Sequence, residues 1–316
     1  MIVGVSPAIR RALVLAERYA RTRLPILLVG ATGTGKELFA QYVHERSGRR
    51  GPLVDVNCCA LPRDMVESLF FGHRRGAFTG AVEASVGHIE RSDGGTLFLD
   101  ELASLVPEAQ GKLLRVLELG EVQPLGASAK RPVDLRVVCA VPDDIWTALD
   151  RGQFRRDLFQ RVAGVVIELP PLAARPEDVV PLAKHFADLQ GRRLERGVDS
   201  VLLNYPWPGN VRELRVAIER AGELVEDGTL PPRAVAEAIA LGGPRPSVSS
   251  ARGQLSALLT RDDLLAVLDR SDWDVERAAT ALRIGRTTFF KRLKSLGISL
   301  RIKHKFARSS EFTELS

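Results

Sequence analysis

The sequence predicts an α/β fold with a parallel sheet in its N-terminal half, followed by two smaller α-helical parts. An apolar run, residues 24–29, enters a glycine-rich loop that a helical pattern follows. A second apolar run, residues 96–99, ends in two acids. Both runs are typical of buried parallel strands that carry a site at their carboxyl ends. After residues 169–172, a Leu-Pro-Pro-Leu segment, the pattern becomes helical, because consecutive prolines stop the preceding strand.

Length and composition indicate a globular protein of about two domains. The chain has 316 residues, of which 45% are hydrophobic. No run approaches the ~18 apolar residues of a membrane span and no leader pattern opens the chain, so we expect a cytoplasmic protein without a membrane partner. Cys58, Cys59 and Cys139 form no CxxC pair, and the five histidines lack metal-ligand spacing. Neither a disulfide framework nor a zinc site is predicted.

The first apolar run leads into a phosphate-binding loop with the sequence GATGTGK. Glycines let backbone N–H groups surround a phosphate, the following helix adds its dipole, and Lys36 reaches the terminal phosphates. Glu37 stands where the general motif has Ser or Thr for Mg²⁺. The predicted nucleotide-binding residues here are Gly30, Ala31, Thr32, Gly33, Thr34, Gly35, Lys36 and Glu37.

The second apolar run completes the predicted site. Asp100 would hold Mg²⁺, and Glu101 would polarise the water that attacks ATP.

A further loop between these motifs has the sequence GAFTGA and no side chain able to do phosphate chemistry. It resembles, letter for letter, the loop with which bacterial enhancer-binding proteins, the AAA+ activators of sigma-54 RNA polymerase, contact the sigma factor. The loop residues are Gly76, Ala77, Phe78, Thr79, Gly80 and Ala81. The resemblance, which also covers Glu37, implies an AAA+ ATPase that uses ATP and Mg²⁺ in a hexameric or heptameric ring. It further implies that Asn57, which ends another apolar run, restrains the catalytic glutamate; formation of a turn is the alternative for Asn57.

Other segments carry the same resemblance. Residues 154–161 (FRRDLFQR) are similar to the family stretch that supplies arginine fingers, which implies that Arg155 and Arg161 act on the neighbouring subunit's ATP. Pairing with Asp157, or capping of carbonyls, is the alternative for these arginines.

Residues 207–214 (WPGNVREL) are similar to the lid motif, which implies that Arg212 contacts the phosphates; a pair with Glu213 or Asp227 is the alternative.

The chain departs from the family at three places. Val141 and Pro142 end a predicted strand where the family has a Thr-Asn pair that senses the γ-phosphate, and neither side chain can hydrogen-bond to phosphate. Ala31 replaces an acidic residue, and Ala173-Ala174 replaces Arg-Glu. The first departure puts the coupling of hydrolysis to movement in doubt, but not nucleotide binding.

The C-terminal part predicts a DNA-binding module. Residues 260–268, 275–282 and 286–296 have helical patterns, and the last is basic on its exposed face, as in a helix-turn-helix. It resembles the Fis-type module of enhancer-binding proteins, although Arg283 replaces the usual glycine. The predicted DNA-facing residues are Arg286, Thr287, Thr288, Lys291 and Arg292.

The predicted domains are therefore an ATPase core (1–170), a helical lid (171–241), a flexible linker (242–258), a helix-turn-helix (259–300) and a tail (301–316). The resemblance implies a sigma-54-dependent activator that binds upstream double-stranded DNA as a dimer and assembles into a ring. Two alternatives stay open: a DNA-binding regulator that binds nucleotide without hydrolysing it, and an AAA+ remodelling chaperone that grips polypeptide.

Overall fold

The computed structural model of this chain describes residues 2–242, together with Leu264, Val267, Leu268, Ser271 and Ala278. The chain divides into two units, Met1–Gly242 and Gly243–Ser316. The predicted DNA-facing residues Arg286, Thr287, Thr288, Lys291 and Arg292 lie outside the described residues.

Five parallel strands form the sheet of the first unit in the order β2-β3-β6-β1-β7. Two pairs of two-residue strands, β4 with β5 and β8 with β9, lie apart from it. The strands are β1 (Ile26–Val29), β2 (Leu53–Asn57), β3 (Thr96–Asp100), β4 (Glu121–Val122), β5 (Arg131–Pro132), β6 (Arg136–Val141), β7 (Val165–Glu168), β8 (Arg193–Leu194) and β9 (Thr229–Leu230).

Eleven α-helices lie before, between and after these strands within residues 2–242. They are α1 (Pro7–Ala20), α2 (Lys36–Ser47), α3 (Val66–Phe71), α4 (His88–Arg91), α5 (Pro107–Leu119), α6 (Ile145–Asp150), α7 (Arg156–Val162), α8 (Val179–Leu189), α9 (Val198–Leu203), α10 (Asn210–Glu223) and α11 (Pro232–Gly242).

The sheet is covered on both faces, and its three central strands, β3, β6 and β1, are buried at successive positions. Ile26 and Leu28 face a cluster formed with α1 and α2, whereas Leu27 and Val29 face the opposite cluster, which includes residues of α3, α5 and α7. This alternation follows from the two-residue period of a strand. The predicted α/β fold with a parallel sheet is confirmed.

The register of the sheet brings the predicted functional residues to one edge. Val29 lies beside both Val141 and Glu168, and Asn57 lies beside Asp100. Because all five strands are parallel, their carboxyl ends meet along that edge, where ligands bind in open α/β sheets.

Helices α8 to α11 form the predicted helical lid around a separate apolar cluster. Trp207 is 2% exposed, and its indole Nε1 donates to the carbonyl of Leu202 at 2.8 Å. Asn210 followed three residues on by Glu213 is a sequence pattern that predicts a capping box at the start of α10, and this prediction is wrong in part. Gly209 is the N-cap, and Glu213 accepts from the Gly209 N–H at 2.7 Å, whereas the Asn210 side chain binds elsewhere.

Few residues of the second unit are described. Leu264, Val267 and Leu268 are helical, and Leu264, Leu268 and Ala278 are buried. Among the residues that the structure describes, no helix is long and apolar enough to cross a membrane.

We expect Trp207→Phe to destabilise the first unit by about 1–3 kcal/mol, since the substitution leaves the buried Leu202 carbonyl without its donor. Trp146 is the matched control. It is 54% exposed, so Trp146→Phe should change the free energy of unfolding by less than about 0.5 kcal/mol. Urea unfolding followed by circular dichroism measures both, and equal midpoints for the two variants would contradict the prediction.

Candidate functional site

The glycine-rich loop between β1 and α2 has the backbone conformation that phosphate binding requires. Gly33 and Gly35 have φ values of 81° and 107°, in the region that favours glycine. The carbonyls of Gly30 and Ala31 accept from the Lys36 Nζ at 2.7 and 3.4 Å. Within residues 2–242, the N–H groups of Thr32, Gly33 and Gly35 donate to no protein acceptor. The loop therefore turns its carbonyls to the protein and leaves N–H groups for an anion.

Two carboxylates stand at the end of β3 beside this loop. Asp100 ends the strand, and the next residue, Glu101, has a φ of 51°, which is uncommon for a residue other than glycine. The Glu101 Oε1 lies 4.0 Å from the Nζ of the buried Lys36. The structure thus brings together the predicted lysine, metal-binding acid and catalytic acid.

The neighbouring charge is suited to a divalent cation. Partial burial, followed by the negative charges of Glu37 and Asp100, raises the pKa of Asp55 on β2. Crowded carboxylate oxygens of this kind are ligands that Mg²⁺ accepts. Asp55 was missed by the sequence reasoning, because only the pairing of β2 with β3 brings it near the site.

Asn57 forms a turn. Its Oδ1 accepts from the N–H of Cys59 at 3.0 Å and caps the short 3₁₀ helix Cys58–Ala60. Among the hydrogen bonds of the described residues, none joins Asn57 to Glu101. The turn-forming alternative therefore describes this geometry, and the restraint of Glu101 by Asn57 stays a prediction.

The start of α10 rests on the glycine-rich loop. The N–H groups of Val211 and Arg212 donate to the Gly33 carbonyl at 2.9 and 3.3 Å. Asn210 donates through Nδ2 to the Thr32 carbonyl at 3.0 Å and accepts through Oδ1 from the N–H of Leu172 at 2.7 Å. This second role explains why Asn210 does not cap its own helix.

Arg212 thereby lies directly above the loop, with its side chain exposed. In the described part of the chain, Arg212 pairs with neither Glu213 nor Asp227, its alternative partners. Glu213 accepts instead from Tyr205 Oη at 2.8 Å and from the N–H of Gly209 at 2.7 Å. Asp227 accepts from Arg192 Nη1 at 2.8 Å through its backbone carbonyl, not through its carboxylate. Arg212 therefore forms no ion pair within residues 2–242, and its contact with the phosphates stays a prediction.

Val141 contributes a backbone atom to the site. Its side chain is buried, and its carbonyl accepts from the N–H of Gly30 at 3.2 Å. The end of β6 is therefore tied to the start of the glycine-rich loop, but no side-chain donor stands at the sensor position.

The two predicted finger arginines are exposed and have partners within the chain. Arg155 forms a two-pronged ion pair with Asp157 at 3.1 and 2.7 Å, and this lowers the pKa of Asp157 to about 2. Arg161 donates from Nε to the Leu117 carbonyl at 3.1 Å. Both side chains thus make the contacts that were the alternative to a finger role: Arg155 pairs with Asp157, and Arg161 binds a backbone carbonyl. Their action on a neighbouring subunit stays a prediction.

The GAFTGA segment forms a closed loop between α3 and α4. The N–H of Gly76 donates to the carbonyl of Ala81 at 2.8 Å, and Ala81 is buried. Phe78, Thr79 and Gly80 are exposed at the tip. The rings of Phe78 and His73 pack edge to face, with their centroids 5.1 Å apart. The loop presents an uncharged tip on a fixed base.

A small cavity of about 70 Å³ beside Thr34 and Gly35 was also missed by the sequence reasoning. Its walls come from four separated segments, so no local pattern could reveal it. The apolar residues that line it include Ile2, Val3, Leu38, Phe39 and Val211.

Known families match most of the chain. Residues 2–168 match the family described as Sigma-54 interaction domain, and residues 173–251 match the AAA+ ATPase lid domain. The DNA-binding transcriptional activator HyfR of Escherichia coli (strain K12) is 40% identical over 95% of this chain and 48% of its own length. The Nif-specific regulatory protein of Azotobacter vinelandii is 38% identical over 95% of this chain and 60% of its own length. The chain spans about half the length of the curated relatives it matches.

Solved structures show the same fold. NtrX from Brucella abortus, in complex with ATP, superposes with a TM-score of 0.69 at 30% identity, over 94% of this chain and 70% of that one. Thermotoga maritima RuvB, a Holliday junction branch migration motor, has a TM-score of 0.53 at 16% identity, over 93% of this chain and 88% of its own. The likeness to RuvB concerns the fold alone.

The contact between α10 and the glycine-rich loop predicts unequal effects of two glycine substitutions. A Cβ at Gly33 would lie 2.4 Å from the Gly209 carbonyl oxygen, whereas a Cβ at Gly35 would meet nothing within 4 Å. Both variants pay about 1–2 kcal/mol for the left-handed conformation. Only Gly33→Ala must also displace the lid, so without nucleotide its Tm should lie at least about 2–4 °C below that of Gly35→Ala. Equal Tm values in a thermal scan would contradict this.

Proposed function

Because this chain belongs to the Sigma-54 interaction domain family of AAA+ proteins, we propose that it activates transcription by sigma-54 RNA polymerase. ATP hydrolysis between neighbouring subunits of a ring would move the GAFTGA loop against sigma-54. The observation that carries the proposal is the closed loop with an exposed, uncharged tip on an ATPase core.

Nucleotide binding is supported by the free N–H groups of the glycine-rich loop, by Lys36 and by Arg212 above the loop. The apolar residues around the cavity beside Gly35 would contact the base. Asp100 and Glu37 would hold Mg²⁺, which, when bound, neutralises phosphate charge. Glu101, 4.0 Å from Lys36, would accept the proton of the attacking water.

The subunit interface would complete this site. Arg155 and Arg161 are exposed on or beside α7, and their partners in the chain are one exposed carboxylate and one carbonyl. A neighbouring subunit's phosphates offer more negative charge than either partner. Because a guanidinium binds phosphate oxygens through two prongs, exchange of Asp157 for phosphate is chemically reasonable.

DNA binding completes the proposal. Arg286, Thr287, Thr288, Lys291 and Arg292 would contact DNA, on the strength of the sequence pattern, with the chain dimeric on upstream sites and in a hexameric or heptameric ring when active.

One observation favours an alternative, a DNA-binding regulator that binds nucleotide without turnover. Val141 gives its carbonyl, not a side chain, to the site, so a donor for the γ-phosphate is missing at that position of β6. Glu101 and the intact loop argue for hydrolysis.

The loop assignment predicts a separation of two activities. Thr79→Ala should lower transcript formation by sigma-54 polymerase in vitro by about tenfold or more, as expected for the centre of a contact surface. Its ATP turnover should stay at the level of the unchanged chain, because the loop holds no catalytic group. Val82→Ala is the matched control on the same exposed segment, at 73% exposure, and should retain both activities. Equal transcription by Thr79→Ala and the unchanged chain would overturn the assignment.

The finger assignment predicts complementation between two inactive variants. Arg155→Ala should lower ATP turnover by about 10³–10⁵, and Lys36→Ala should be inactive because its phosphate lysine is missing. A mixture should regain turnover, since the second variant supplies Arg155 to the intact site of the first. Arg156→Ala, which removes an exposed pair with Asp150, is the control.

Turnover per chain should also rise with the concentration of the unchanged protein. No gain on mixing would contradict catalysis in trans, and a flat, near-zero turnover at every concentration would favour the alternative regulator.

A further inference from the structure

A buried ion pair joins the lid to the glycine-rich loop. Arg175 is 3% exposed and Asp178 is fully buried, and their Nη1 and Oδ2 atoms are 3.6 Å apart. The same guanidinium donates from Nη2 to the carbonyl of Thr34 at 3.0 Å. Arg175 therefore grips the loop one residue before Gly35 and two before Lys36.

The carboxylate of Asp178 is held from the opposite side by the segment that precedes α1. Its Oδ1 accepts from the N–H groups of Val5 and Ser6 at 2.6 and 2.7 Å. Its Oδ2 accepts from Ser6 Oγ at 2.7 Å. A continuous series of polar contacts thus runs from residues 5–6 through Asp178 and Arg175 to Thr34.

Stability is a poor explanation for this pair. A buried ion pair often contributes little to folding, because both charges lose their hydration. Burial lowers the pKa of Arg175, and its Nε has no partner among the described residues. What such a pair does provide is a fixed geometry for the groups that it joins.

We propose that Arg175 is a positioning residue for nucleotide binding, and that residues 5–6 set its position through Asp178. Arg175 lines the cavity beside Gly35 and holds the Thr34 carbonyl, so its movement would shift the backbone that surrounds the phosphates. The inference rests on the proposed nucleotide site. Because coupling between two sites is reciprocal, bound nucleotide also strengthens the hold on residues 5–6.

The test uses Asp178→Asn, which keeps the shape and an acceptor for Val5 and Ser6 but removes the charge that faces Arg175. Arg175→Lys is the second variant, because lysine keeps the charge and loses the fork that joins two acceptors. Glu219→Gln is the matched control: it removes the acidic partner of Arg215 in an exposed pair on α10. Titration with a fluorescent ATP analogue gives Kd, and a thermal scan establishes that each variant is folded at the temperature of the titration.

We expect Kd to rise at least about fivefold in both Arg175→Lys and Asp178→Asn, within the usual range of coupling between sites. The control should match the unchanged chain. In hydrogen exchange, the analogue should slow the amides of Val5 and Ser6 in the unchanged chain and not in Asp178→Asn. If Asp178→Asn does not fold, the Kd of Arg175→Lys and the hydrogen exchange of Val5 and Ser6 in the unchanged chain still test the inference.

Two outcomes would overturn the inference. A lower Tm with an unchanged Kd in the variants would mean that the pair only stabilises the fold. Equal hydrogen-exchange rates at Val5 and Ser6 with and without the analogue would mean that residues 5–6 and the nucleotide site are not coupled. Failure of the unchanged chain to bind the analogue would instead defeat the proposed nucleotide site, so the two failures are distinguishable.

Discussion

The division of labour within the glycine-rich loop is the constraint on which the rest of the first unit depends. Successive carbonyls accept from the protein: Thr32 from Asn210, Gly33 from Val211 and Arg212, and Thr34 from Arg175. The carbonyls point outward to the lid because glycine at residues 33 and 35 permits positive φ, and the same rotation leaves N–H groups for phosphate. In the proposed nucleotide site, a change in phosphate binding would therefore act directly on the residues that hold the lid, because the same loop makes both sets of contacts.

The GAFTGA loop follows a different logic. Its base is fixed by the Gly76–Ala81 hydrogen bond and by the His73–Ser85 bridge, whereas its tip carries no charge and no catalytic group. A tip without charge loses little hydration when it meets an apolar partner. A fixed base lets a displacement of the core reach the tip without being absorbed by the loop. Transmission by contact, as opposed to chemistry, is what this combination suits.

The sequence predicted what local patterns encode, and it failed where distant segments meet. The glycine-rich loop and the two acids after β3 were found because glycine spacing and a strand's end are local signals. Asn210 was misjudged as a cap, because its partners, Thr32 and Leu172, are 178 and 38 residues away. Asp55 escaped notice for the same reason. Arg175 and Asp178 are only three residues apart, but their other partners, Thr34 and residues 5–6, lie in distant segments. In a sequence, a buried charge that joins three segments looks like any surface charge.

The departure at Val141 leaves the end of β6 with a backbone contact to the glycine-rich loop and without a side-chain donor. The Gly30 N–H to Val141 carbonyl bond keeps β6 tied to the loop through the backbone, whatever the side chain is. What β6 lacks is a donor that distinguishes a triphosphate from a diphosphate. Arg212 has no ion pair within residues 2–242, and its backbone N–H donates to the Gly33 carbonyl, so in the proposed nucleotide site it would make that distinction from the lid. In such a protein, loss of the γ-phosphate would be felt first by α10 and only then by the sheet. The lid's hold on the loop would then govern the response to hydrolysis.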